Sequence, residues 1–435
     1  MHIAVIGTGY VGLVTGACFA DFGMRVTCVD KDEAKISSIN AGKMPIYEPG
    51  LEALVAKNVR EGRLDFSTDV RAAVSDSLVV FVAVGTPPSP SGDGSADMSQ
   101  IDEVAHEIAR SLNGYKVIVT KSTVPVGAAS RIKKIIEENK ATPSRFSVAA
   151  NPEFLREGAA INDFRRPDRV VIGCADDDAV AILKDIYRPL YLIETPFVIT
   201  TPESAEMIKY ASNAFLATKV SFINEIARLC ELLGADVHDV AKGMGMDARI
   251  GSKFLHPGPG FGGSCFPKDA KALVALGRGV NVDVRIVEAT LQVNEAQKAS
   301  IIDRIKLLVP RLDGKTIAIL GLAFKPETDD IREAPALEII HDLRKAGAKI
   351  RAYDPEAMRA ARRVLMDIQY CEDEYDAARG SDALVVVTEW NQFRSLDIVR
   401  LKQLMREANI IDLRNIYEPE TIRSAGFNYL GMGRS

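Results

Sequence analysis

Short β-branched runs alternate with helical patterns near both ends of the chain, while the middle carries long helical patterns with no strand between them. A glycine turn, GxGxxG, directly follows the first run. Together these predict an α/β protein: two Rossmann-like doubly wound domains joined by a central all-helical domain with a long core helix. The expected boundaries are residues 1–200, 201–300 and 301–435. A chain of 435 residues is too long for a single core.

The first strand occupies residues 3 to 6 and runs into Gly7-Thr8-Gly9-Tyr10-Val11-Gly12, then a helix from Leu13 to Gly23. A second strand, Arg25 to Val29, ends on Asp30. Gly7 permits the tight turn, Gly9 lets a pyrophosphate approach the backbone, and Gly12 lets helix and strand pack closely. Asp30 can accept hydrogen bonds from both ribose hydroxyls and would repel a 2′-phosphate, so NAD is predicted over NADP, with Lys31 and Lys35 opposing that preference. Strands over 77–85 and 115–121 end in turns carrying Thr86 and Thr123, which either meet the ligand or cap their turns. A strand from Ser147 to Ala150 leads into Asn151-Pro152-Glu153-Phe154-Leu155-Arg156-Glu157-Gly158. If that segment is helical, Glu153 and Glu157 share a face. Glu153 then handles protons or orients water, while Glu157 reads equally as a solvated charge.

From Ala205 to Leu233 one nearly continuous helix carries Lys209 and Asn213 four residues apart, on one face of a largely apolar surface. A shorter helix spans Asp236 to Gly243, and Arg249 to Phe254 leads to Gly260-Phe261-Gly262-Gly263-Ser264-Cys265-Phe266-Pro267-Lys268-Asp269. Pro267 fits the start of a helix over Lys268 to Gly277. Cys265 then stands ahead of a helix N-terminus beside Lys268, and both features favour a thiolate over a buried, inert thiol. Another helix runs from Asp283 to Leu308.

The third region begins with a strand from Lys315 to Leu320, followed by the degenerate turn Gly321-Leu322-Ala323-Phe324-Lys325. A helix from Ala336 to Ala346 and strands over 349–353, 383–388 and 410–412 complete a smaller Rossmann-like unit. It lacks GxGxxG, so no second dinucleotide is expected. Lys325, Arg332 and Arg414 near its strand ends are either phosphate ligands or ordinary surface cations.

A hydrophobic fraction of 47% with 26% charged residues excludes a disordered chain. A formal charge of −5 without a dense basic run argues against nucleic acid as a partner, and no stretch is apolar enough to span a bilayer. Cys18, Cys28, Cys174, Cys230, Cys265 and Cys371 are scattered without CxxC pairs, so neither a metal site nor a disulfide framework is expected, and a cytoplasmic location is.

Gly7 to Gly12, Lys121 to Gly127, Asn151 to Gly158, Lys209 with Asn213, Gly260 to Asp269 and Lys325 to Arg332, in this order, resemble the nucleotide-sugar dehydrogenase family, UDP-glucose/GDP-mannose type, over essentially the whole chain. The Gly260–Asp269 stretch is similar to the branch that oxidises UDP-glucose. The resemblance implies oxidation of a C6 alcohol to a carboxylate with two NAD+, giving UDP-glucuronate for polysaccharide biosynthesis. It implies Cys265 as nucleophile, Lys209 and Asn213 as stabilisers of the substrate oxyanion, Asp269 and Thr123 as partners of a catalytic water, and Glu153 as general acid/base. Gly7, Gly9, Tyr10, Val11, Gly12, Asp30, Lys35, Thr86, Thr123, Glu157, Lys268 and Arg332 match cofactor-side positions. Glu153, Phe154, Leu155, Lys209, Asn213, Arg249, Phe254, Gly262, Lys325 and Arg414 match substrate-side ones, with Arg249 crossing from a neighbouring subunit of a homodimer. Two departures stand out: Gly85 replaces an asparagine common in relatives, and Phe254 replaces a tyrosine found in some.

Overall fold

A computed structural model describes residues 1–434, and the chain divides into compact units at Met1–Ser212 and Asn213–Ser435. In the first unit eight strands form one sheet: β1 (His2–Ile6), β2 (Arg25–Val29), β3 (Leu64–Ser67), β4 (Val79–Val82), β5 (Lys116–Thr120), β6 (Phe146–Ala150), β7 (Val170–Gly173) and β8 (Phe197–Thr200). Their order is β3-β2-β1-β4-β5-β6-β7-β8. The first six strands are parallel and doubly wound, β7 pairs antiparallel with β6 through Ala150 and Gly173, and β8 returns parallel to β7.

Sequence explains the sheet directly. Strands covered on both faces read as unbroken apolar runs, as in Val79-Val80-Phe81-Val82. Val79 and Phe81 pack with Leu13 and Phe19 on one face, Val80 and Val82 with Ile108 and Ile132 on the other.

The second unit holds β9 (Thr316–Leu320), β10 (Lys349–Tyr353), β11 (Gln369–Tyr370), β12 (Ala383–Val386), β13 (Asn409–Asp412) and β14 (Asn428–Leu430). All are parallel, in the order β11-β10-β9-β12-β13-β14, the same winding as the first six strands of the other sheet. Between the sheets the chain is helical: Pro202–Leu233, Val237–Gly245, Phe266–Gly279 and Arg285–Leu308. The first of these has 32 residues and so a length of about 48 Å. No helix among the described residues is long and apolar enough to cross a membrane.

The condition for a shared helix face over Glu153–Glu157 is not met. Residues 151–156 have no regular structure, and Glu157 lies in a turn before the helix Ala160–Arg165. Pro152 disfavours helical backbone at Asn151, whose N–H instead continues the sheet to Thr120 O at 2.9 Å. Glu153 and Glu157 therefore share no helix face.

Candidate functional site

The turn after β1 is built as its glycines require. Gly7 has φ 102°, its N–H donates to Val29 O at 2.7 Å, and a Cβ there would strike Ala83 O. A Cβ on Gly12 would fall 1.9 Å from Gly7 O, whereas one on Gly9 would meet nothing within 4 Å, leaving the backbone open to a ligand. Gly7, Gly9, Asp30, Lys35, Gly85 and Gln100 line a cavity of about 660 Å³. Asp30 Oδ2 accepts from Thr8 N–H (2.9 Å), Thr8 Oγ1 (2.8 Å) and Lys35 Nζ (2.8 Å). Burial raises the Asp30 carboxyl, but the Lys35 ammonium and the Thr8 donors outweigh it and hold it down to about 2. This open glycine, this volume and this carboxylate fit a dinucleotide.

Lys35, which argued against NAD in the sequence, is tied to Asp30 and so lends a 2′-phosphate less positive charge. Asp30→Ala is expected to raise KM for NAD about 10- to 100-fold, the worth of hydrogen bonds to a charged group, and to narrow the preference over NADP. Initial rates with each cofactor check this. Because the folded carboxyl is depressed, its contribution to stability is present above pH about 4 and lost as pH falls towards 2.

Tyr10 OH donates to the buried Glu48, which also accepts from Gly158 N–H (2.6 Å) and Ala160 N–H (2.8 Å). Beyond β6, Glu153 Oε1 accepts from Lys209 Nζ at 2.8 Å, with the two side chains only 5% and 4% exposed. Glu153 Oε2 accepts from Leu155 N–H at 2.6 Å, and Lys209 Nζ lies 5.4 Å from the Phe154 ring centroid. Thr123, Lys209 and Glu206 line a separate cavity of about 10 Å³, about room for one water. Thr86 Oγ1 donates to Thr123 O at 2.8 Å, pinning the loop that carries Thr123. Glu206, unmarked in the sequence, accepts from Gly127 and Ala129 N–H, and burial pushes its carboxyl up to about 7.

In the second unit Cys265 is the N-cap of Phe266–Gly279 and is half-buried, whereas the other five cysteines are buried. Burial pushes the thiols of Cys18 and Cys28 up to about 12 and that of Cys371 to about 11. Asp269, one turn below, is wholly buried and accepts from Asn213 Nδ2 (2.7 Å) and Lys268 Nζ (2.7 Å). The Lys268 charge is therefore paired with Asp269, while Cys265 stands at the helix N-terminus.

The glycine loop owes its shape to close contacts. A Cβ at Gly262 would lie 2.1 Å from Glu333 O and one at Gly263 2.7 Å from the Phe324 ring, and Gly263 N–H donates to Arg332 O. Asn294 holds the loop at both polar groups of Phe261, and Gln297 donates to Gly258 O. Phe254 adopts φ 63° and its ring lies 5.8 Å from that of Phe266.

Of the expected cations, Arg332 forms a bidentate pair with Asp330, and Lys325 Nζ lies 5.6 Å from the Phe324 ring. Arg414 donates to Val387 O and Phe324 O at the ends of the second sheet and pairs with Glu389. Arg249 stands apart, 90% exposed and paired with Asp247.

The turn after β9 repeats the first with a different outcome. Gly321 has φ 98° and donates to Tyr353 O, as Gly7 does to Val29 O. Asp354 holds the position equivalent to Asp30, but it is buried and accepts from Leu322, Ala323, Glu356 and Ala357 N–H and from Trp390 Nε1. Its carboxylate is consumed by its own backbone.

Comparison with known proteins agrees with this architecture. Three models of the UDP-glucose/GDP-mannose dehydrogenase family match: the NAD binding domain over residues 1–191, the central domain over 203–296 and the UDP binding domain over 318–419. The UDP-glucose 6-dehydrogenase of Rhizobium meliloti (strain 1021) is 53% identical over 437 residues, covering 100% of both chains. Among solved structures, a UDP-glucose dehydrogenase from Pyrobaculum islandicum superposes with a TM-score of 0.92 at 38% identity, covering 100% of this chain and 98% of that one. A UDP-D-ManNAc dehydrogenase from Pyrococcus horikoshii gives 0.86 at 27%, covering 100% and 99%. The chain thus belongs to the UDP-glucose/GDP-mannose dehydrogenase family and is an oxidoreductase with NAD as its cofactor.

Proposed function

We propose that this protein oxidises the C6 alcohol of UDP-glucose to a carboxylate and releases UDP-glucuronate, with residues 1–200 holding NAD, 201–300 carrying the catalytic groups and a homodimer contact, and 301–435 holding the UDP moiety. The observation that carries this reading is Cys265: half-buried, at a helix start, in a loop of three glycines, above the buried Asp269. A single-hydride dehydrogenase has no use for such a thiol.

NAD, when bound, supplies the hydride acceptor for both oxidations. The chain's residues manage the carbon between them. The Cys265 sulfur adds to the aldehyde carbon as the carbonyl oxygen takes up charge or a proton, giving a thiohemiacetal from which a second hydride can leave. Oxidation yields a thioester; water adds, the C–S bond breaks, and the thiol and a carboxylic acid result. Lys209 and Asn213 stabilise negative charge on the substrate oxygen, each donor contributing a few kcal/mol. Glu153 passes protons, and Asp269 and Thr123 orient the water. Arg249, exposed and paired with the nearby Asp247, is accessible for a role in a neighbouring subunit's site. Phe215, Phe222 and Leu229, exposed at seven-residue spacing on Pro202–Leu233, support the dimer contact. A free catalytic thiol favours the cytoplasm as the place of work.

Incubation with NAD+ and a panel of nucleotide sugars, counting NADH per sugar consumed, is expected to give about two with UDP-glucose, since each hydride transfer removes two electrons. A ratio near one would sink the double oxidation. Turnover confined to GDP-mannose or a UDP-N-acetylhexosamine would sink the substrate.

A further inference from the structure

Lys121 directly follows β5, whose run Val117-Ile118-Val119 is apolar. The Lys121 side chain is buried, and its Nζ donates to Asn151 Oδ1 (3.1 Å) and Tyr187 OH (3.1 Å). Tyr187 OH in turn donates to Asn151 Oδ1 (2.6 Å), and Asn151 Nδ2 donates to Val171 O (2.7 Å). The rings of Phe164 and Tyr187 lie 5.9 and 5.8 Å from the ammonium. Among the described residues none of its hydrogen-bond partners is a carboxylate, so the buried ammonium is hydrogen-bonded by neutral groups.

Three titratable groups face it. Tyr187 follows the helix Asp177–Ile186, and burial pushes its phenol upward. Glu153, from the segment after β6, attracts the ammonium, and Lys209, from Pro202–Leu233, repels it. Burial lowers Lys121 to about 8 against the attraction of Glu153.

Two demands on Lys209 compete. Lys209 is to stabilise the substrate oxygen, yet in the folded chain it is bound to Glu153. Turning Lys209 towards substrate would strand a buried carboxylate. We propose that Lys121 is a positioning residue whose ammonium compensates the charge of Glu153 while Lys209 serves the substrate, and which, through Asn151, fixes the chain two residues before Glu153. The proposal rests on the roles given to Glu153 and Lys209 under the proposed function.

The test is Lys121→Met, similar in length but uncharged, assayed for kcat and KM from pH 6.5 to about 9.5, a span bracketing the lowered lysine. At pH 7 kcat is expected to fall about tenfold with KM for UDP-glucose changed by less than about twofold, the pattern of a group acting on the reacting state. Above pH about 9 the ratio of wild type to variant is expected to approach one, because the wild type has then lost the same charge. A deficit of equal size at every pH, or no deficit, overturns the proposal.

Should Lys121→Met not fold, Tyr187→Phe removes one acceptor of the ammonium and is expected to move the alkaline limb of kcat down by about half a pH unit or more; an unmoved limb overturns the proposal. Glu153→Gln, run in parallel, separates the two layers. If it turns over like wild type, the role of Glu153 falls and this proposal with it. If it is impaired while Lys121→Met is not, this proposal alone falls.

Discussion

Replacing Cys265 by serine is expected to cut steady-state turnover about 10³-fold or more, with UDP-sugar binding little changed. The alcohol is still oxidised once, so the loss falls on the steps that need sulfur. A serine hydroxyl at neutral pH is almost wholly protonated, and it adds poorly to the aldehyde. Any ester that does form has an alkoxide leaving group, far more basic than a thiolate, so hydrolysis slows as well. The helix terminus at Phe266 favours an anion but cannot bring a hydroxyl near neutrality. Rapid mixing of enzyme, UDP-glucose and NAD+ is the measurement. It should show at most one NADH per site followed by a near-halt, whereas turnover at the wild-type rate would remove the thiol from the chemistry.

Lys209→Met should damage two properties at once, and they can be separated. Loss of the cation from the substrate oxygen is expected to lower kcat about 10²- to 10³-fold. Its removal also takes the hydrogen-bonded partner from the Glu153 carboxylate, buried to about the same degree as the lysine, at a cost in folding stability below the ~3–5 kcal/mol of an uncompensated buried charge, because Lys121 offsets part of it. The double variant Lys209→Met with Glu153→Gln removes the stranded charge and should recover most of that stability without recovering activity. Denaturant midpoints and initial rates on the wild type, the two single variants Lys209→Met and Glu153→Gln, and the double variant are the measurements. Parallel recovery of both properties would mean that Lys209 acts only through the fold.

The central strands of the first sheet were legible because they are covered on both faces, and runs such as β4 and β5 lead into glycine or hydroxyl turns, whereas the half-exposed β3 left no such run. Val79 to Val82 and Lys116 to Thr120 are examples. Less legible were β7 and β8. Four-residue runs such as Val170-Val171-Ile172-Gly173 resemble any short apolar stretch, and nothing local records that β7 reverses direction against β6. The glycine loop before Cys265 was readable from composition alone, because Gly262 and Gly263 sit where a Cβ has no room. Glu48 was not, since its link to Gly158 spans 110 residues and leaves no spacing to detect. Lys121 left one signal, a lysine closing the run Val117-Ile118-Val119-Thr120; its meaning depended on Asn151 and Tyr187, which the chain brings in from later elements. The spacing of Glu153 and Glu157 left a shared helix face open, and Pro152 closes it by disfavouring helical backbone at Asn151.

The closed turn after β9 bears on fidelity between ligands. A chain with two folds of one winding presents two places shaped to receive a nucleotide, and a cell holds NAD as well as nucleotide sugars. Asp354, sealed by four backbone N–H groups and the Trp390 indole, cannot reach out to a ribose as Asp30 can. The second turn thus lacks the free carboxylate that the first offers to a ribose, a difference written into the folded backbone.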